Sequence, residues 1–216
     1  MQYQTLLFDL DGTLTDPGEG ITNSVSYALE RFGISIADRS TLYPFIGPPL
    51  IESFMRFFSL SHSDAERAVV YYREYFGDKG LFENKPYDGI HHTLRQLCNA
   101  KKRLIVATSK PEPYAKRILD HFDLTPYFAY VAGASFDEKR SEKWDVIRYA
   151  LDTCRISNTA TTVMIGDRKH DVIGAQKNHM DSIGVLWGYG SFDELSTAGA
   201  THLVKDQEEL IALLTK

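Results

Sequence analysis

The sequence predicts an α/β fold, in which a parallel sheet carries helices on both faces and a block of helices is inserted after the first strand. Residues 6–8 form a short apolar run with the pattern of a buried strand. From residue 86 onwards, strand-like and helix-like segments alternate, which is the order that builds a parallel sheet covered by helices. Residues 18–85 show helical signals and no convincing strand. Together these observations predict a Rossmann-like core interrupted by an all-helical insertion.

Length and composition agree with this architecture. A chain of 216 residues can bury the interior of one large domain, or of a core and a smaller module. Hydrophobic residues make up 43% and charged residues 25%, which is an ordinary globular balance. We therefore predict a core domain at residues 1–16 and 86–216 and a helical domain at residues 17–85.

Turn and capping residues predict the individual elements. In the helical block, Thr22 is placed to cap a first helix that Gly33 ends, and Pro49 is placed to open a second. Ser63 starts a third helix that runs to Phe76. Beyond the block, strands are predicted at residues 104–107, 128–131, 162–165 and 183–186, and helices at residues 90–100, 113–122, 144–154, 172–178 and 207–214.

Composition also argues against several classes of protein. A net charge of −5 disfavours nucleic-acid binding, and no apolar run approaches the roughly 18–20 residues that span a bilayer. The first residues lack the basic start and apolar core of a secretion signal. Cys98 and Cys154 are far apart and lack metal-ligand spacing, so neither a disulfide framework nor a zinc site is indicated. We expect a cytoplasmic protein without nucleic-acid or membrane partners.

Two aspartates, Asp9 and Asp11, stand at the carboxyl end of the first predicted strand, and Gly12 then lets the chain turn away. In an open α/β sheet, ligands bind in the crevice beyond the strand ends. Carboxylates this close need a cation, a shared proton or two separate roles. An ordinary strand-to-turn junction is the alternative. A calcium-binding EF-hand is excluded by spacing, since Leu14 and Gly20 stand where that motif needs Gly and Glu.

Polar residues also follow two later strands. Thr108 and Ser109 offer hydroxyls and backbone N–H groups at a helix start, where phosphate binds well, although they can equally cap the helix. Asp167 follows another strand and Asp171 lies one helical turn later, where capping and surface charge are the ordinary explanation. A second acidic pair at a strand end favours a divalent cation, and oxygen-only ligands favour Mg²⁺ over zinc.

An acidic site of this kind needs a balancing cation. Lys143, at the start of the helix before Asp167, is one candidate. Lys139 and Arg140 compete with it for this role. Any of the three can instead be a solvated surface residue, since exposure is the usual state of a lysine.

Together these features resemble the haloacid dehalogenase-like hydrolase superfamily over nearly the whole chain. The four motifs of that superfamily appear in order as Asp-x-Asp-Gly-Thr at residues 9–13, Thr108, Lys143, and the acidic pair Asp167 and Asp171. The helical insertion resembles the α-helical cap of the family. The third motif is the least regular match, because no proline follows Lys143, unlike in many relatives.

The resemblance implies distinct roles for the acidic residues. Asp9 would attack phosphorus and form an aspartyl-phosphate. Asp11 would protonate the departing alkoxide and then activate water. Mg²⁺ would be held by Asp9, the backbone carbonyl of Asp11 and Asp167, with Asp171 as a direct or water-mediated ligand.

The resemblance also implies how phosphate is held. Thr108, Ser109 and Lys143, with backbone N–H groups around Gly12, would bind the oxygens of the transferring phosphoryl group. Thr13 would support the loop and orient the acid/base carboxylate.

Asp11 separates the chemistries within the superfamily. Dehalogenases and phosphonate-cleaving relatives lack an equivalent acid/base residue, whereas phosphomutases keep it. The sequence is most similar to the phosphoglycolate phosphatase-like branch and to related bacterial 5′-nucleotidases, through residues 46–49, 108–111, 166–171 and 188–190. The resemblance thus implies a phosphomonoester hydrolase of phosphoglycolate phosphatase type, with a 5′-nucleotidase or sugar phosphomutase as alternatives. An inactive relative that binds phosphorylated ligands is the non-enzyme alternative, which the retained aspartates disfavour.

The expected substrate is a small phosphorylated metabolite, but two kinds remain open. A carboxylate such as that of phosphoglycolate would need a cation from the helical block, and the candidates are Arg31, Arg39, Arg56 and Arg73. A nucleotide base would need an aromatic platform, and the candidates are Tyr43, Phe45, Phe54 and Phe57. Both sets also suit ordinary packing or surface roles.

Overall fold

The computed structural model describes residues 3–137 and 139–215, and the chain divides into two compact units. One unit comprises Met1–Thr15 and Pro86–Lys216, and the other comprises Asp16–Lys85. We call them the core unit and the helical unit. The strands are β1 (Thr5–Phe8), β2 (Thr15–Asp16), β3 (Lys85–Pro86), β4 (Arg103–Pro111), β5 (Tyr130–Ala134), β6 (Thr162–Gly166), β7 (Asp181–Val185) and β8 (His202–Val204).

Six strands of the core unit form one parallel sheet, in the order β5-β4-β1-β6-β7-β8. The helices that flank it are α4 (Ile90–Asn99), α5 (Glu112–His121), α6 (Lys143–Thr153), α7 (Lys169–Lys177), α8 (Phe192–Thr197) and α9 (Gln207–Thr215). This arrangement confirms the predicted α/β fold class.

The centre of the sheet is formed by β1 between β4 and β6. Leu7 pairs with Ile105 on one side and with Met164 on the other, and all three side chains are buried. Their side of the core includes Val146 and Ile147 of α6. Parallel strands that are covered on both faces need continuous apolar runs, and for this reason the sequence predicts these strands.

Several predicted boundaries in the core unit need correction. The strand predicted at residues 128–131 lies instead at Tyr130–Ala134, after a short 3₁₀ turn at Thr125–Tyr127. The helix predicted at residues 172–178 begins earlier, at Lys169. The short elements α8 and β8 were not predicted, because six and three residues carry too little periodicity to stand out.

The helical unit contains α1 (Gly18–Glu30), a 3₁₀ helix at Arg39–Phe45, α2 (Leu50–Phe58), α3 (His62–Tyr75) and a π-helical turn at Phe76–Gly80. Thr22 does not cap α1. Its hydroxyl donates to the Gly18 carbonyl at 2.7 Å within the helix, a bond that serine and threonine commonly make mid-helix. Ser61, not Ser63, caps α3, because its Oγ accepts the Asp64 N–H at 3.1 Å. Pro49 precedes α2 as predicted.

Across the described parts of the chain, residues 3–137 and 139–215, no helix has the length and apolar character needed to cross a membrane.

Candidate active site

The site is built at the carboxyl edge of the central strands. Phe8, the last residue of β1, pairs with Val106 of β4 and Ile165 of β6. Because the three strands are parallel, the residues that follow these positions emerge at one edge of the sheet. Asp9 and Asp167 both emerge there.

Three aspartates form a buried acidic cluster. Asp9, Asp167 and Asp171 each offer a carboxylate oxygen, and these oxygens lie within 4.8 Å of one another. Burial, reinforced by the charges of Asp171 and Asp9, raises the pKa of Asp167 to about 8. Burial also raises the pKa of Asp171. An all-oxygen set of mutually repelling carboxylates fits a hard divalent cation such as Mg²⁺.

Lys143 balances part of this negative charge. Its Nζ lies 2.8 Å from Asp9 Oδ1 and 2.8 Å from Asp171 Oδ1, and it donates to the Ala107 carbonyl at 3.2 Å. Burial lowers the pKa of Lys143, but the carboxylates of Asp171 and Asp9 outweigh burial and hold this pKa above its usual value. Lys143, one of the three candidate cations, is therefore buried at the first residue of α6.

The two competing cations lie elsewhere. Lys139 is 85% exposed in its side chain and pairs with Asp137 at 3.4 Å. Arg140 donates from Nε to the Gly133 carbonyl at 2.8 Å and lies 3.7 Å from Glu112. The structure therefore selects Lys143 from the three as the cation of the acidic cluster.

Asp11 is held apart from the cluster. Its Oδ2 lies 2.9 Å from Nζ of Lys110, which is itself buried. Burial raises the pKa of Asp11, and the positive charge of Lys110 opposes that rise. The two neighbouring aspartates thus have different cationic partners, Lys143 for Asp9 and Lys110 for Asp11.

Lys110 is a site residue that the sequence did not single out, although it belongs to the 108–111 run that follows a predicted strand. Strand β4 does not end at residue 107, as predicted, but continues through the 108–111 run. The pairing of β4 with β5 shifts register between Thr108 and Pro111, and in this segment Thr108 and Lys110 are buried while Ser109 is half-buried. The phosphate contact of Ser109 stays a prediction.

The loop after β1 gives two further corrections. The Gly12 N–H donates to the Thr15 carbonyl at 2.8 Å, so in this geometry it is not directed to a phosphate. Gly12 has φ +80°, and a side chain there would overlap the Asp167 carboxylate. The glycine therefore allows the loop backbone to lie close to Asp167. The Thr13 hydroxyl donates to Asp167 Oδ1 at 3.3 Å, and it therefore orients a cluster carboxylate instead of Asp11.

A second loop, residues 187–190, forms hydrogen bonds to the loop after β1 and to Asp167. Trp187 donates its indole N–H to the Thr13 carbonyl at 3.1 Å, and the Tyr189 N–H donates to Asp167 Oδ2 at 2.8 Å. Gly188 lies between them, where any side chain would overlap Asp167. The sequence showed only a glycine-containing run here. The structure shows that the run positions Asp167.

The start of α7 positions Asp171. The Arg168 N–H donates to Asp171 Oδ2 at 3.1 Å, and the Arg168 side chain is itself fixed by Glu194 at 2.9 Å. A side chain at Gly166 would overlap the Asp171 carboxyl group. Asp167 and Asp171 are therefore both held by backbone N–H groups, and Asp171 is also paired with Lys143.

Comparisons with known proteins agree with this site. Residues 6–185 match the model of the family described as haloacid dehalogenase-like hydrolase. A 5′-nucleotidase from Pseudomonas aeruginosa is 44% identical over 214 residues, which is 99% of this chain and 96% of the relative. The tyrosine-protein kinase PtkA from Mycobacterium tuberculosis is 43% identical over 202 residues, 92% of this chain and 68% of the relative.

A solved structure extends the likeness to the whole fold. The crystal structure of a predicted phosphatase from Clostridium acetobutylicum superposes with a TM-score of 0.95 and 50% sequence identity, covering 99% of each chain. The family match spans both the loop of Asp9 and the loop of Asp167. The chain therefore belongs to the haloacid dehalogenase-like hydrolase family, and it is a phosphatase of that family.

Proposed function

We propose that this protein is a Mg²⁺-dependent phosphomonoester hydrolase that acts through an aspartyl-phosphate on Asp9. The observation that carries the proposal is that two carboxylates, only two residues apart in sequence, have different surroundings. Asp9 belongs to the acidic cluster with Lys143, whereas Asp11 pairs with Lys110. Different surroundings are what a nucleophile and a proton-transfer group require.

In the first step, an Asp9 carboxylate oxygen forms a bond to phosphorus while the bond between phosphorus and the ester oxygen breaks. The electron pair of that bond goes to the ester oxygen, which takes a proton from Asp11 and leaves as an alcohol. Asp9 is oriented for attack because its Oδ1 accepts the Leu10 N–H at 2.8 Å and contacts Lys143 at the same distance. These contacts fix the carboxylate before substrate arrives.

In the second step, a water oxygen attacks phosphorus and passes a proton to the Asp11 carboxylate. The bond between phosphorus and Asp9 breaks, and its electron pair returns to Asp9. Inorganic phosphate is released, and Asp11 again carries the proton that the next cycle needs. One residue thus serves as acid and then as base.

The phosphoryl oxygens would be held by Thr108 and Lys143. The Thr108 hydroxyl accepts the Lys110 N–H at 3.3 Å, which leaves its own proton to donate. Lys143 supplies a buried positive charge at the same edge. Preorganised donors of this kind stabilise the charge of the transition state.

Asp9, Asp167 and Asp171 would hold Mg²⁺, with the Asp11 backbone carbonyl as a further ligand implied by the family resemblance. When bound, the ion supplies positive charge that screens an anionic nucleophile from an anionic phosphate. The raised pKa of Asp167 supports this role, because a bound cation would offset both the burial and the repulsion by Asp171 and Asp9 that raise it.

The helical unit is proposed to be the cap of the family and to determine the substrate. Phe45 and Phe54 are both buried, with ring centroids 5.0 Å apart, so they are packing residues. Tyr43 and Phe57 are 47% and 43% exposed, and they stay candidates for an aromatic platform. The Arg56 guanidinium lies 5.4 Å from the Phe57 ring centroid, which adds a cation to the same surface.

A nucleoside 5′-monophosphate is the favoured substrate among the kinds left open. The Pseudomonas aeruginosa relative that carries the 5′-nucleotidase name is 44% identical over nearly the whole of both chains. Phosphoglycolate and hexose phosphates are the next candidates. The PtkA relative adds one further acceptor to test, a tyrosine hydroxyl in place of water.

The test is inorganic phosphate release from nucleoside monophosphates, phosphoglycolate and hexose phosphates, in Mg²⁺ and in EDTA. Asp9→Asn is the blank, and Asp193→Asn, an exposed aspartate of α8, is the matched control. We expect release that needs Mg²⁺ and Asp9. Interconversion of hexose phosphates would instead indicate a mutase, label transfer from ATP to tyrosine a kinase, and ligand binding without turnover an inactive relative.

A further inference from the structure

The ion pair between Lys110 and Asp11 is more buried than either charge tolerates alone. The two side chains are 5% and 15% exposed, and Nζ lies 2.9 Å from Oδ2. Lysine and aspartate are almost never buried unless they are paired. The pair therefore links strand β4 to the loop after β1 within the core unit.

The two oxygens of the Asp11 carboxylate have different surroundings. Oδ2 is bound by Lys110. Oδ1 is buried and accepts no hydrogen bond from the residues that the structure describes. A buried oxygen without a partner is costly, so such atoms in a native fold call for a functional explanation.

Lys110 lies in an irregular part of β4. The pairing with β5 shifts register between Thr108 and Pro111, and the Lys110 backbone N–H donates to the Thr108 hydroxyl at 3.3 Å. Irregularities of this kind redirect side chains and are common next to active sites. From this end of the strand, the ammonium group reaches a carboxylate that stands on a loop.

We propose that Lys110 is a positioning residue that fixes Asp11 for proton transfer to the leaving alkoxide. By binding Oδ2, it orients the carboxyl group so that Oδ1 carries the transferred proton. The site is thereby specialised for alkyl phosphate monoesters, whose alkoxides leave poorly without protonation. Aryl esters such as p-nitrophenyl phosphate leave as stable anions and need this help far less. The inference rests on the proposed function, in which Asp11 is the proton donor.

The test compares two esters in the Lys110→Met variant, in the presence of Mg²⁺. The quantity measured is kcat/KM, which reports the steps up to departure of the leaving group and not the later hydrolysis. The esters are p-nitrophenyl phosphate and the alkyl phosphate that the wild type hydrolyses fastest in the panel above. We expect the variant to lose about 100-fold on the alkyl ester, the usual contribution of general acid catalysis. The loss on p-nitrophenyl phosphate is expected to be at least about tenfold smaller.

A matched control exists in the same unit. Lys102, just before β4, is also buried, and its Nζ donates to the Tyr3 carbonyl at 2.7 Å without a carboxylate partner among its described hydrogen bonds. Lys102→Met removes a buried ammonium away from the site. It is expected to keep the wild-type ratio between the two esters, whatever it does to stability.

The Asp11→Asn background guards against misfolding, because Lys110→Met alone leaves a buried carboxylate unpaired. Asp11→Asn should itself show the selective loss on the alkyl ester. Adding Lys110→Met should then alter the ester ratio by less than about threefold, because residues that act as one unit are not additive. Lys110→Arg, which keeps the charge, should restore part of the alkyl activity.

Equal losses on both esters in Lys110→Met would overturn the proposal, since that pattern indicates a phosphate contact or general damage. A further loss on both esters in the Asp11→Asn background would overturn it as well. Wild-type protein that hydrolyses neither ester would instead contradict the proposed function, and the inference would fall with it. The wild-type measurement therefore separates the two failures.

Discussion

The two units of the molecule differ in how they treat charged and aromatic side chains. In the core unit, charges are buried and paired at short distance, as in Lys143 with Asp9 and Lys110 with Asp11. In the helical unit, aromatic rings pack against one another, as Phe45 does with Phe54, and arginines such as Arg39 and Arg56 are exposed. Buried ion pairs are costly unless geometry is exact, so they persist where chemistry requires them. We infer that the core unit determines the reaction and that the helical unit determines which phosphate ester undergoes it.

Removal of the Lys143 ammonium tests the core side of this comparison most severely. Lys143→Met leaves Asp9 and Asp171 buried without their shared cation, so we expect a loss of about 3 kcal/mol in the free energy of unfolding. Turnover should fall by about 100- to 1000-fold. Urea unfolding and phosphate release measure the two effects.

The control for this prediction is Lys139→Met, which removes an exposed lysine four residues earlier and should change both quantities little. Mg²⁺ should restore more stability to the Lys143 variant than to the control, because a cation offsets the same repulsion. Equal effects of the two substitutions would contradict a special role for the buried lysine.

The pH dependence of stability tests the acidic cluster without any substrate. Asp167 has a folded-state pKa of about 8, above its ordinary value of 3.8. Between these values the folded chain holds a proton that the unfolded chain has released. Without metal, the free energy of unfolding should therefore fall as pH rises towards 8, by at most about 1.4 kcal/mol per pH unit for one proton.

Mg²⁺ bound by the cluster would replace that proton, so its stabilising effect should be larger at pH 8 than at pH 6. Thermal unfolding in EDTA and in Mg²⁺, at both pH values, measures this difference. Asp167→Asn should remove most of it. An equal Mg²⁺ effect at both pH values in the wild type would indicate that the ion binds elsewhere.

The helical unit is tested by removing an exposed ring. If Phe57 stacks on a base, Phe57→Ala should raise the KM for nucleoside monophosphates by about tenfold, since stacking contributes about 1–3 kcal/mol per base. The KM for phosphoglycolate should rise far less. Phe192→Ala removes a ring that is 57% exposed on the core unit and serves as the control. A uniform rise for every substrate would argue against base recognition by Phe57.

The same contrast explains what the sequence could and could not predict. The apolar strands and the aspartates at their ends were legible, because parallel sheets need continuous apolar runs and place ligands at their ends. The partner of Asp11 was not, because Lys110 is distant in sequence and β4 was predicted to end before it. The Thr22 prediction failed because a threonine hydroxyl can bond within a helix as easily as at its start.

The role of the second loop, residues 187–190, could not be predicted for a related reason. Residues 187–190 act on Asp167 across more than twenty residues of sequence, and hydrogen bonds from backbone groups leave no pattern of side chains. The sequence could show that glycines are present at 188 and 190. Only the structure shows that a side chain at either would overlap the backbone or side chain of Asp167.

The two tryptophans of the chain allow the smallest effect to be measured. Trp187→Phe keeps an aromatic ring but removes the indole N–H that binds the Thr13 carbonyl, so it should cost about 1 kcal/mol of stability. Turnover should fall severalfold, because the loop that carries Asp9 and Asp11 loses one of the hydrogen bonds that hold it. Trp144→Phe, at a partly exposed position on α6, is the control and should alter neither quantity appreciably. A loss of stability without any loss of turnover would show that Trp187 supports the fold alone, and that the Tyr189 N–H suffices to hold the Asp167 carboxylate in place.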